Sequence, residues 1–440
     1  MAAEGSGGSW LATLLCLGGA WAAGSGLAGA GELRAGAGRV AITPTADEFP
    51  YQIGDEKPFV GVHDDVYVRA LVLDDGAHRV ALVSAEVTAI PEGRKLTDIA
   101  ADAAGVPAAN VMLAASHTHN SLFVFYRGKV VTPAQQQELA RLESATQQAV
   151  RQAVATLQPA RLSFGRGRAY ANINNGEESG SKKWFDGAGS SDKTLDVLRV
   201  QDRQGRPIAL LLNYATHAEV MYRSVTREGG YEVSGDLPGA TSRLLETNPA
   251  LAPVVLFTSA AEADQLSLFK SLQPDDKVPG MDAGASGWAL LDLQARRIAS
   301  AVVDVVGSMP EQGKAQAQIA VASGEASCPG AKRSRDPATG AVNVVDAADV
   351  AIPLQVFRID DFALAGVGAD VASDIGVAIK SRSPLPQTSV VTMTAGAVGY
   401  VLNDAAYAKP GHGVLGSPIK PGCAPTLLPA RVAELLGAAR

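Results

Sequence analysis

Cysteine is almost missing from this chain: of 440 residues, three are cysteine, at Cys16, Cys328 and Cys423. That excludes a disulfide-dense scaffold and a cysteine-rich zinc module alike. Aromatic residues make up 5% of the sequence, too few to furnish stacking platforms for single-stranded nucleic acid. Positive charge is in deficit too, with 38 Lys and Arg against 45 Asp and Glu and a formal charge of -7, so no basic stripe is on offer to a polyanion. No apolar run is both long enough and free enough of polar residues to demand a bilayer. Histidine is scarce as well, with six in all. Two of them within three positions therefore stand out.

What the chain does have is apolar bulk, 47% hydrophobic, enough for a sizeable core. Residues 1–32 read as an export signal and flexible segment. Trp10 to Ala23 is apolar and small-residue-rich, Ala20-Trp21-Ala22 offers a cleavage signal, and glycine-rich sequence follows, although no basic residue precedes the apolar stretch. The expected destination is periplasmic or secreted. Removal of Cys16 would leave Cys328 and Cys423 as an even pair, for which an oxidising compartment predicts a disulfide. Residues 33–440 read as one large α/β (α+β) domain, with mixed β-sheets flanked by helices. Hairpin turns are signalled at Asp74-Asp75-Gly76 and at Asp202 to Gly205. Helices are expected over Lys95–Ala104, Pro133–Thr156, Ala285–Val306, Ser373–Lys380 and Leu427–Leu436. Tyr170 to Ser191 reads as a long loop, and Cys328 falls in a loop between strands Ala315–Ala322 and Asp349–Ile359. No repeat of fixed period is visible.

One pattern recurs: a buried strand that ends in polar residues. Val111–Ala115 runs into Ser116, His117, Thr118 and His119, and alternation puts the two histidines on one side. Strand ends of this kind are where sites form in α/β proteins. The pair can serve a metal or a substrate, or simply pack. Pro207–Ala215 leads into Thr216, His217, Ala218 and Glu219, and Pro253–Phe257 feeds a segment holding Asp264 and Ser267. Asp236 stands near the start of a helical run, where the helix dipole favours an acid. Asp361–Val367 passes into Gly368-Ala369-Asp370, and Val390 to Gly399 precedes Tyr400. Glu86, near the end of the strand His78–Val87, is a candidate acid behind the site, with a solvated glutamate as the plainer reading. Asn172 and Asn174 are candidate polar lining or ordinary turn formers.

Four segments together resemble the amino-terminal catalytic domain of the neutral/alkaline, non-lysosomal ceramidases: Gly61-Val62-His63-Asp64, Ser116-His117-Thr118-His119, Asn213-Tyr214-Ala215-Thr216-His217, and Ser234-Gly235-Asp236-Leu237-Pro238-Gly239. The resemblance runs from about Leu33 to the carboxyl terminus. It implies a zinc amidase that hydrolyses the N-acyl bond of a sphingolipid, with an N-acyl lipid as the default substrate class, through metal-activated water. It further implies His117 and His217 as Zn²⁺ ligands, Asp370 where the family has a glutamate ligand, Tyr400 as a tyrosine ligand, and His119 as a second active-site histidine. His119 is the expected proton-transfer group, with Asp236 or Asp264 expected to orient a ligand histidine through its other ring nitrogen. The sequence departs from the family at Asp370, one methylene shorter than glutamate, and at Ser267, one place from the family's serine. An ester or lactone hydrolase with the same metal, and an inactive ligand-binding protein, are the alternative readings.

Overall fold

A computed structural model describes residues 31–53, 56–91, 93–121, 132–175, 190–273, 281–408 and 411–439. The expected export signal, Cys16 included, lies outside the described residues. Apolar runs without alternation become strands covered on both faces. Eight of them form one sheet: β1 Arg34–Ala41, β2 Tyr67–Asp74, β3 Arg79–Ala85, β4 Val111–Ala115, β5 Gln158–Arg168, β6 Thr194–Asp202, β7 Pro207–Tyr214 and β8 Val255–Ser259, in the order 8-7-6-5-1-2-3-4. The outer pairs β3–β4 and β7–β8 are parallel and the inner neighbours antiparallel. Each half is thus three antiparallel strands, a helix and a parallel strand, a repeat of topology where the sequence repeats nothing.

The halves are hinged where β1 and β5 share two residue pairs, Arg34–Pro159 and Ala35–Gln158. Leu71, Leu82 and Met112 of the first half pack with Leu198, Leu211 and Leu256 of the second. The outer face of the first half is covered by α1 Gly93–Ala104 and α2 Pro133–Ala155, through Leu96, Leu139 and Leu142. Thr132 caps α2, its hydroxyl accepting from Gln135 N–H while the Gln135 side chain accepts from Thr132 N–H, with Pro133 preset for the first turn. β1 carries Gly36 and Gly38 because α2 lies on it: a Cβ at Gly36 would stand 2.0 Å from the Ala153 carbonyl oxygen. The second half is covered by α3 Asp236–Glu246 and α4 Gly287–Ser308, through Leu237, Leu245, Leu291 and Ile298.

A second sheet of four strands, β9 Ile319–Arg335, β10 Val342–Ile359, β11 Phe362–Val367 and β12 Gln387–Val391, adds Phe357, Phe362 and Leu364 to the cluster between the halves. Its other face holds α5 Ser373–Arg382 and α6 Ala424–Ala438. Here the structure corrects the loop expected around Cys328: that residue lies buried within β9. β9 and β10 run on as a long hairpin whose far part is exposed, polar along β9 but carrying exposed Val344 and Val345 on β10, and turned by Asp336 and Gly340. Cys328 is disulfide-bonded to Cys423, which immediately precedes α6. The expected loop from residue 170 also contains a short strand, Asn172–Asn174, paired with Gln265–Ser267. Among the described residues no helix is long and apolar enough to cross a membrane.

Candidate metal centre

The exits of β4 and β7 are tied together by their backbones. Thr118 bridges Ala218, and His119 N–H donates to the Ala218 carbonyl at 3.0 Å. Immediately past β4 the chain turns at His117 with φ 63°, a left-handed conformation that costs a non-glycine residue energy and is found where a site requires it. The His117 ring then places Nδ1 2.6 Å from the Thr88 carbonyl oxygen, and His217 places its own Nδ1 2.8 Å from the Glu262 carbonyl oxygen. A carbonyl only accepts, so both rings carry their proton on Nδ1 and present bare Nε2 lone pairs.

Those lone pairs converge. Asp370 Oδ2 stands 3.8 Å from His117 Nε2 and 3.5 Å from His217 Nε2, and His119 Nε2 lies 3.2 Å from His117 Nε2. One ring nitrogen from each of the three histidines falls within 4.8 Å of the others. Asp370 is delivered from the exit of β11 and pairs in parallel with Tyr400, whose ring lies nearly coplanar in tilt with that of His217, at 10° and 6.4 Å between centres. The structure therefore brings together His117, His119, His217, Asp370 and Tyr400. Burial, and then the neighbouring imidazoles, hold His117 well below the usual histidine range. Burial likewise pushes His119 down to about 3, opposed by Glu219.

Asp236 and Asp264 do other work than expected. The Asp236 carboxylate accepts the backbone N–H groups of Val220, Met221 and Leu237, fixing the loop after His217, and burial raises it to about 6 against those bonds. Asp264 accepts from the Ser373 N–H and hydroxyl at the start of α5 and from Asn174. The ring nitrogens assigned to these acids are held by main-chain carbonyls instead, because neighbouring strand exits run side by side and each offers a carbonyl to the next ring. Ser267 donates to the His217 carbonyl at 2.7 Å. Glu86 is buried, not solvated: it pairs with Arg69 at 2.5 Å behind α3.

Three charged residues at the centre were given no role by the sequence, although Glu219 stands in the exit segment Thr216-His217-Ala218-Glu219. Glu219 lies 3.7 Å from His119 Nδ1 and 2.5 Å from Lys270 Nζ. Burial alone would raise the Glu219 carboxyl, but Lys270 and the histidines outweigh it and hold it far below the usual range. Glu262 is fully buried, and burial followed by Asp370 pushes it well above the usual carboxylate range, opposed by the Ser259 and Thr392 hydroxyls. The signal for Glu219 was its spacing: His217-x-Glu219 copies His117-x-His119. Lys270 and Glu262 carry no such signal.

Neutral imidazoles with converging lone pairs, joined by a carboxylate and a nearby phenol, fit a divalent ion that takes nitrogen and oxygen ligands. His117, His119 and His217 present the nitrogens that could hold it, with Asp370 Oδ2 beside two of them.

Residues 35–256 match the sequence family described as neutral/alkaline non-lysosomal ceramidase, N-terminal. Among solved structures, neutral ceramidase from Pseudomonas aeruginosa superposes with a TM-score of 0.69 at 17% identity, covering 92% of this chain and 73% of that one. A ceramidase complexed with C2 superposes with a TM-score of 0.70 at 16% identity, covering 92% and 75%. At these identities the likeness is one of fold, mixed sheets flanked by helices. No curated protein matches the sequence.

Proposed function

The chain belongs to the neutral/alkaline non-lysosomal ceramidase family, and on that premise we propose that it is a zinc-dependent hydrolase of an amide bond, with an N-acyl lipid as the substrate class. The observation that carries the reading is the pair of histidines locked by carbonyls so that both Nε2 atoms face Asp370 Oδ2 at 3.5 and 3.8 Å. Zinc bound there supplies polarisation of the scissile carbonyl and a water of lowered pKa. His117, His217, Asp370 and Tyr400 hold the site, and their burial keeps bulk water from competing. His119 is not needed as a ligand: its Nε2 stands at the edge of the site, where an imidazole takes a proton from the attacking water and returns one to the leaving nitrogen.

The test is elemental analysis of the purified protein together with a panel of N-acyl amides, esters and lactones. About one zinc per chain is expected, with amide turnover lost on chelation and restored by zinc. H119A should keep zinc and lose most turnover, as expected of a proton-transfer group. Protein that carries no zinc after growth in zinc would sink the metal assignment, and turnover of esters alone would replace the amide by the ester.

A further inference from the structure

We propose that Glu219, clamped by Lys270, is the positioning residue for His119; the proposal deepens the hydrolase reading above and rests on it only for its kinetic arm. The other two site histidines have Nδ1 satisfied by carbonyls, of Thr88 and Glu262. The buried Nδ1 of His119 has no hydrogen-bond partner among the described residues, and it faces Glu219 Oε1 at 3.7 Å. The other oxygen of Glu219 accepts from Lys270 Nζ at 2.5 Å, and both side chains of that pair are largely withdrawn from solvent, 13% and 11% exposed. The Tyr222 ring stands edge-on to His119, 5.0 Å between centres at 82°, and Lys270 lies 6.0 Å from the centre of the same ring. Lysine, carboxylate and imidazole thus form a row that ends at the metal centre.

Backbone register explains the row. Because Thr118 bridges Ala218 and His119 N–H binds the Ala218 carbonyl, His119 and Glu219 leave adjacent segments next to each other. A carboxylate accepts and does not donate, so it favours the His119 tautomer with the proton on Nδ1 and leaves Nε2 as the working nitrogen, against the alternative in which Nε2–H donates to the bare His117 Nε2 at 3.2 Å. Lys270 makes the buried carboxylate tolerable, since a buried charge without a partner is strongly unfavourable. The 3.7 Å separation is longer than a hydrogen bond. A small turn of the ring closes it, in the way catalytic hydrogen bonds tighten once substrate is bound.

The experiment uses full-length protein with ¹⁵N-labelled histidine. Six histidines give few enough ring signals to resolve, with His119 assigned by the loss of its signals in H119Q. The wild type should show His119 protonated at Nδ1. E219L/K270M removes acceptor and countercharge together, so no charge is left unpaired and the fold is kept. It should show a mixed or reversed tautomer, unchanged zinc content, and a kcat lowered about 10- to 100-fold with KM little changed. E219Q/K270M, which keeps an amide oxygen as acceptor, should restore the tautomer and part of the rate. A wild-type tautomer in E219L/K270M, a kcat within about twofold of wild type, or loss of its zinc would each overturn the assignment. If the wild type neither binds zinc nor turns over any acyl substrate, the hydrolase reading fails, and the tautomer comparison still decides the role of Glu219.

Discussion

A histidine buried as a metal ligand or proton carrier is also a statement about stability. With metal removed, burial holds His119 down at about 3, against an ordinary value of 6.5. Between those values the unfolded chain binds a proton that the folded chain refuses. Stability is therefore full above 6.5 and is lost as pH falls toward 3. His117 is displaced in the same direction and adds to the same loss. In chelator-treated protein the urea midpoint should fall across this window, and H119Q should flatten the decline by about 2–4 kcal/mol. Equal slopes for wild type and H119Q would mean that the ring is solvated when no metal is bound. The left-handed backbone at His117 belongs to the same account: a strained residue persists where its ring must meet both Thr88 and the centre.

Elements are held to one another by a buried charge network. Arg69 of β2 donates to Glu86 past the end of β3 and, through Nε and Nη2, to Glu246 at the end of α3. R69M leaves two buried carboxylates without this partner and should cost about 3–5 kcal/mol in denaturant unfolding, whereas R69M/E86L/E246L should recover much of it. A loss within experimental error for R69M would show the network to be solvated. The network also illustrates what the sequence could and could not disclose. Val111–Ala115 was legible to the residue, since five buried apolar residues between a turn and a histidine pair admit few readings. β9 was not, because its exposed part is written in Ser, Gly, Lys and Arg, and pairing with β10 rather than burial makes it a strand. Histidines at strand exits were legible because histidine is rare. Lys270 and Glu262 were not, because charged residues are common and theirs acquire meaning from three strand exits meeting; Glu219 had only its spacing from His217 to mark it. The misassigned partners, Asp236 and Asp264, failed for a related reason: a backbone carbonyl that orients a ring leaves no mark in the sequence.

At the scale of the whole molecule, the first sheet's two halves and the second sheet share one apolar cluster, so the residues proposed as ligands, at the exits of β4, β7 and β11, are set by packing between layers rather than by any one of them. The disulfide adds a covalent tie at the far side of the second sheet, joining β9 to the segment that starts α6. We propose that the mature protein is exported, because such a bond persists in an oxidising compartment. Cys328 and Cys423 are 95 residues apart in sequence, so opening the link frees a long loop in the unfolded chain. C328S/C423S should lose about 2–5 kcal/mol by the chain-entropy account. It should still fold, because Leu428, Val432 and Leu436 of α6 remain packed against Ile352, Leu354 and Ile375. Zinc content should be unchanged, since Asp370 keeps its backbone pairing with Tyr400 and its bond to the Gly399 carbonyl without the disulfide. Intact mass with alkylation supplies the direct check: in freshly isolated protein neither cysteine should label until reductant is added. Labelling of both without reductant would refute the link in the protein as made, and retention of Trp10 in the isolated protein would refute cleavage on export even if the link is present.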